Sequence, residues 1–217
     1  MGIRAGDPWG EPFTGTPDVV VEGDDFALSR AVTAHPSGVV RFVPTAGSQL
    51  ALAIGLSVDT SPADGSRTRE RCFALPMDVL RFDEEHIAVN MIVIGAPPNR
   101  VRRTTRSFAI DNSVRATTIV VANGQFCDGL DLVPRGHPGD GRAEVHTYSL
   151  QARDRANMRR RLHLGTHVPH PDIATRSVKD LDIGFDRAVR IELDGRVVSP
   201  RRHVVVSVLP AFYRILV

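Results

Sequence analysis

Residues 19–32, VVVEGDDFALSRAV, followed at 39–56 by VVRFVPTAGSQLALAIGL, decide the architecture of the front of the chain. Val19, Val20 and Val21 form an apolar run that reads as a buried strand, and Gly23, Asp24 and Asp25 make a tight acidic turn after it. Phe26, Ala27, Ala31 and Val32 then recur at helical spacing. Asp24 or Asp25 suits the helix N-cap, because a carboxylate there accepts from the free N–H groups of the first turn. The second stretch repeats the pattern: VVRFV as a strand, then a helix that Thr45 or Ser48 can cap and Gly55 can end. Strand–helix–strand–helix is the grammar of an α/β unit with parallel strands.

Outward from this unit the pattern changes. Residues 1–17 are rich in turn formers, and residues 57–72 read as a polar connector, which places a boundary near residue 57. Beyond it the apolar period is two, predicting strands over 73–82, 86–95, 115–122, 143–149, 187–193 and 203–209, with a closing FYRILV. Only QARDRANMRRRLHLG (151–165) reads as a helix there. The predicted fold class is α+β: an α/β region over residues 1–57, then an antiparallel β-sandwich over 58–210.

The 217 residues suffice for one large domain or two small ones. No run approaches the roughly 18 apolar residues of a membrane span, and the front end carries Asp7, Glu11 and several prolines where a signal peptide would be basic and then apolar. The expectation is a soluble cytoplasmic protein. A net charge of +2 gives no reason to expect a nucleic-acid partner. Cys72 and Cys127 read as reduced, packed thiols.

Several constellations could carry chemistry. The Gly23–Asp24–Asp25 turn gathers N–H groups at a helix start, which suits either an ordinary cap or a phosphate with its metal. PTAGSQ, with Thr45, Gly47 and Ser48, is a second such turn. In HPGDGR (137–142) Asp140 sits between glycines, either as a turn residue or as the carboxylate of a hard-cation loop. Asp194–Gly195 between alternating strands is a hairpin signal. Arg153, Arg155, Arg159, Arg160 and Arg161 fan around a helix as a solvated face, or meet an anionic lipid surface. His163, His167 and His170 have a ligand-like spacing, but Gly165, Pro169 and Pro171 interrupt the helix a zinc site there would need.

In order and content the chain resembles the bacterial diacylglycerol kinase-like lipid kinases of the NAD kinase/diacylglycerol kinase superfamily. VVVEGDDFALSRAV is similar to that family's strand–GGDGT–helix turn, and VVRFVPTAGSQLALAIGL to its strand–GTxND–helix turn. ANGQFCDGLDLVPRGHPGDGRAEV (122–145) resembles its NGxxxGGGxxxxPxAxxxDGxLDV stretch. GTHVPHP (165–171) resembles GxHxxHP, and IELDGRVV with VLPAFYRILV its closing LDGE…VLPxALRVLV. The resemblance implies a nucleotide-binding-type α/β domain, rejoined by the C-terminal strand 211–217, ahead of a β-rich lipid-kinase domain. It implies ATP held at Gly23, Asp24, Asp25, Thr45 and Ser48. It implies a structural Mg²⁺ bound by the Asp140 carboxylate and the main-chain carbonyls of His137 and Arg142. Arg196 falls on the Glu that serves the family as catalytic base. The family has two more βα units before the first turn, so the resemblance also implies truncation at the front.

The departures bear on function. Phe26 replaces a glycine that lets phosphate approach, Ala27 removes a hydroxyl, and Asp24 adds negative charge where the ligand is an anion. A guanidinium stays protonated, so Arg196 cannot act as a base. Two readings follow. One is an ATP- and Mg²⁺-dependent lipid phosphotransferase, impaired or silent. The other is a non-catalytic module that binds a lipid or lipid-like molecule, or a protein or second copy at its open N-terminal edge, with peripheral contact at the inner membrane surface.

Overall fold

The computed structural model describes residues 8–56, 72–95, 118–149, 158 and 161–217. In chain order the elements are β1 (Glu11–Phe13), β2 (Val19–Gly23), α1 (Asp25–Ala34), β3 (Val39–Pro44), α2 (Gln49–Ala53), β4 (Cys72–Phe82), β5 (His86–Ala88), β6 (Met91–Gly95) and β7 (Thr118–Ala122). There follow β8 (Phe126–Cys127), β9 (Leu130–Asp131), β10 (Ala143–Tyr148), β11 (Ile173–Val178), β12 (Asp180–Leu193) and β13 (Arg196–Leu216). Residues 158 and 161–162 are helical, and the rest of the helix expected at 151–165 lies largely outside the described residues, as does the 57–71 connector.

The fold is mostly antiparallel sheet with few helices. Eleven strands join in one sheet, β1-β4-β13-β12-β6-β7-β10-β11, with β2, β3 and β5 branching from it, while β8 and β9 form a separate hairpin. The parallel pairings lie at the front: β2 with β3, and β3 with the end of β13, where Arg214, Ile215 and Leu216 face Val39, Val40 and Arg41. The last residues of the chain thus join the first βαβ unit to the antiparallel strands.

Strand alternation sorts side chains between cores. Leu75, Met77 and Val79 of β4 point to a core with Leu28 and Val32 of α1, Leu50 of α2, Val40, Phe42, Tyr213 and Ile215. Leu80 and Phe82 of the same strand point to the sandwich core, with Ile92, Ile94, Val121, Val145, Ile191, Val204 and Val206. Met91 and Val120 face a third cluster around Tyr148, Leu132, Met158 and Leu162. Strands β4 and β13 therefore serve two cores, and each lobe is anchored to the other through them.

Four expectations are corrected. The strand foreseen at 86–95 is two, β5 and β6, broken at Val89–Asn90. The strand foreseen at 187–193 begins at Asp180, and β11 was not foreseen. Residues 203–209 and the closing FYRILV belong to one 21-residue strand, β13. The register shift between Leu209 and Tyr213, with Ala211 at φ +49°, absorbs Pro210 without ending the pairing. Helix α2 spans only Gln49–Ala53, with Ser48 as its N-cap and its end two residues ahead of Gly55.

Candidate functional site

The site forms where the β2–α1 turn, the start of α2 and the β12–β13 turn converge. Asp24 is the N-cap of α1: its Oδ1 accepts from Ala27 N at 2.9 Å. Asp25, buried at the first position of α1, reaches across to the neighbouring helix. Ser48 Oγ donates to its Oδ1 at 2.6 Å, Gln49 N to Oδ2 at 3.1 Å, and Leu50 N to both oxygens. Ser48 is the N-cap of α2 and accepts from Ala51 N. Thr45 is exposed and does not cap; its N–H donates to Gly23 O at 2.8 Å. Gly23, at φ +150°, must be glycine, because a Cβ there would sit 2.6 Å from the Ala27 Cβ.

Asp194 and Gly195 form the two-residue turn between β12 and β13, both at positive φ as a type I′ hairpin demands. The Asp194 carboxylate does more than turn the chain. It accepts from Val89 N, Asn90 N and Met91 N at 2.8, 3.0 and 2.9 Å, and so holds the break between β5 and β6. Burial pushes the Asp25 carboxyl up, against hydrogen bonds from Ser48, Leu50 and Gln49, with Asp24 adding repulsion. Burial, with the Asp25 charge behind it, pushes Asp194 up to about 8 despite its three amide donors. The Cys127 thiol, in the same cleft, is pushed up by burial and by the carboxylates of Asp128, Glu192, Asp25 and Asp194.

Arg196 stands at the mouth of this cleft. Its Nη2 lies 3.7 Å from Asp24 Oδ2, and its guanidinium carbon lies 5.2 Å from the Phe26 ring centroid. The cleft measures about 80 Å³, small beside the roughly 300–1,000 Å³ of a ligand pocket. A hollow of about 500 Å³ opens beside it, lined by Ala46, Leu52 and Leu56 on one side and Gly129 on the other. Gln49 ties the two together, since its Oε1 accepts from Gly129 N at 2.8 Å.

The 137–142 loop is separate. Asp140 Oδ1 accepts from Arg142 N at 2.9 Å, His137 Nδ1 accepts from Gly139 N, and the Arg142 side chain donates to Ser177. Gly139 lies against Trp9 and Pro76, where a Cβ would come within 2.7 Å of the indole nitrogen. The loop hangs on Asp78, a buried residue that sequence reasoning passed over. Its Oδ1 accepts from Ala211 N at 2.8 Å, its Oδ2 from Gly141 N at 2.6 Å, and its own N–H donates to Pro138 O. The visible signal was a lone carboxylate inside the apolar strand ALPMDVLRF. Among the described residues no three His, Cys, Asp or Glu side chains group as a metal site.

The three histidines diverge. His167 is buried with its Nε2 3.2 Å from the Tyr148 hydroxyl, which donates to Leu132 O and lies 3.4 Å from His146 Nδ1. His170 accepts from Asp172 N, and His163 is exposed. Of the arginine cluster only Arg161 is described, donating to Thr166 O; Arg153, Arg155, Arg159 and Arg160 lie outside the described residues.

A βαβ unit thus shares its sheet with a long-stranded, mostly antiparallel sandwich. Residues 87–217 match the YegS C-terminal NAD kinase beta sandwich-like domain, and the chain belongs to that family. Among solved structures it is similar to a protein named "putative diacylglycerol kinase" from Bacillus anthracis str. Sterne. The TM-score is 0.72 at 13% identity, covering 91% of this chain and 77% of that one. A second structure from the same organism, named a diacylglycerol kinase, gives a TM-score of 0.65 at 13% identity, covering 91% and 75%. No curated protein matches the chain. No helix among the described residues is long and apolar enough to cross a membrane.

Proposed function

We propose that the protein is a diacylglycerol kinase-like lipid-binding module that does not transfer phosphoryl groups. One observation carries this: the N–H groups that two helix starts could offer to ATP phosphates are taken by the chain's own carboxylates. Asp24 takes Ala27 N, and Asp25 takes Gln49 N and Leu50 N. An incoming polyphosphate would have to displace two negative charges to reach those donors. The nucleotide therefore does not fit, and no step of a phosphoryl transfer is assigned to these residues. Arg196 adds a second obstacle, since it holds a cation where an acid–base carboxylate would be needed.

The binding role draws support from the hollow beside the cleft, where Leu52 is 52% exposed next to Leu56. Such a surface suits the glycerol end and first methylenes of a lipid presented at a membrane. The donor chemistry at the 137–142 loop fits a hard cation: the Asp140 carboxylate with the His137 and Arg142 carbonyls would hold Mg²⁺, which would pin the loop and take no part in chemistry.

The test has two arms. Isothermal titration with Mg²⁺-ATP at millimolar concentration should show no heat of binding, and radiolabelled ATP should leave no phosphate on dioleoylglycerol. Cosedimentation with anionic vesicles should increase when dioleoylglycerol is included. Phosphate incorporation would overturn the silent reading; unchanged sedimentation would overturn the lipid-binding one.

A further inference from the structure

Three positions that depart from the family pattern, Asp24, Phe26 and Arg196, are drawn from the two ends of the chain and meet at one point. Arg196 is the first residue of β13 and follows the Asp194–Gly195 turn; Asp24 and Phe26 flank the start of α1. The guanidinium pairs with Asp24 at 3.7 Å and lies over the Phe26 ring at 5.2 Å. These two contacts bridge the hairpin to the strand–helix turn across the open side of the cleft. Arg196 is exposed and Asp24 half-buried, whereas Asp25, Asn90 and Met91, at 3–4% exposure, form the floor.

We propose that Arg196 is a latch residue: its guanidinium, gripped by Asp24 and Phe26, closes the cleft and controls what reaches the floor. Either contact alone is weak at this exposure. They act on one side chain, however, and together hold it at the mouth of the cleft. Arg190 is committed to Glu192 by a close ion pair, which leaves Arg196 as the cation lining the cleft among the described residues. The inference stands whether or not the protein transfers phosphate.

The protein carries its own reporters. Cys127 lines the cleft, and Cys72 is an exposed thiol at the start of β4. Iodoacetamide labelling followed by peptide mass spectrometry reads both rates in one sample. In the native chain Cys127 should react much more slowly than Cys72. Arg196→Gln should raise the Cys127 rate about tenfold through a more populated open state, with Cys72 unchanged. Phe26→Leu should raise it less, and so should Asp24→Asn, which keeps a capping side chain for Ala27 N while removing the charge. Removing a positive charge would by itself discourage thiolate formation and slow alkylation, so a faster rate reports opening. Arg196→Lys, which keeps charge but loses the flat guanidinium, should fall between native and Arg196→Gln. An unchanged Cys127 rate in Arg196→Gln, or acceleration of both thiols together, overturns the latch.

Discussion

Asp25 and Asp78 are both buried carboxylates that accept main-chain N–H groups from distant parts of the chain, yet they do different things. Asp25 spends its oxygens on the start of a neighbouring helix and joins two turns that would otherwise offer donors to a ligand. Asp78 spends its oxygens on the bulge of β13 and on the glycine-rich loop, outside the lining of the cleft. A carboxylate at a strand–helix turn can hold a ligand or stand in for one. Which it does depends on whether the surrounding amides remain free, and around Asp25 they do not.

The largest test of this contrast is Asp78→Ala. It leaves the buried Gly141 N–H and the half-buried Ala211 N–H without their acceptor, at ~1–3 kcal/mol each and less for Ala211, so urea unfolding should show a loss of about 3–4 kcal/mol. Asp25→Ala should lose less, about 3 kcal/mol, because Ser48 still caps α2 and water can enter from the cleft. If Asp25→Ala also gains affinity for inorganic phosphate, the stand-in reading is sharpened; if it loses stability without gaining affinity, Asp25 is purely a strut.

Titration divides the regions next. Burial of His146 beside His167 lowers its pKa from 6.5 to about 4, so the unfolded chain binds the extra proton between those values. Stability should therefore fall as pH drops from 6.5 to 4, and His146→Gln should flatten that limb of a Tm–pH curve. Asp194 behaves oppositely. Its pKa is raised from 3.8 to about 8, so the folded chain holds the extra proton and stability falls as pH rises through that window. Asp194→Asn should remove this second slope. The smallest effect is at the surface cap: Asp24→Ala should cost about 1 kcal/mol by thermal unfolding, and Asp24→Asn only a few tenths.

Much of this arrangement was legible before the fold was known. The βαβα order at 19–56, the Asp194–Gly195 hairpin and the family membership all follow from local pattern, which left each cap between two residues, Asp24 or Asp25 and Thr45 or Ser48. The strand boundaries did not, because the passage of β13 through Pro210 depends on the bulge between Leu209 and Tyr213, which local pattern does not show. The cleft was half legible. Asp24, Asp25 and Arg196 were singled out, but their partners lie on separate segments: Ser48 with Asp25, Arg196 with Asp24, and Val89–Met91 with Asp194.

By itself the sequence determined the secondary-structure grammar, because hydrophobic period and capping are properties of neighbours in the chain. It also determined that position 196 carries a guanidinium, which stays protonated and cannot act as a base. Only the tertiary structure decided where that guanidinium sits, beside Asp24 and over the Phe26 ring. A carboxylate's role depends on which donors face it, and those donors come from residues up to about 170 positions away, as with Arg196 and Asp24.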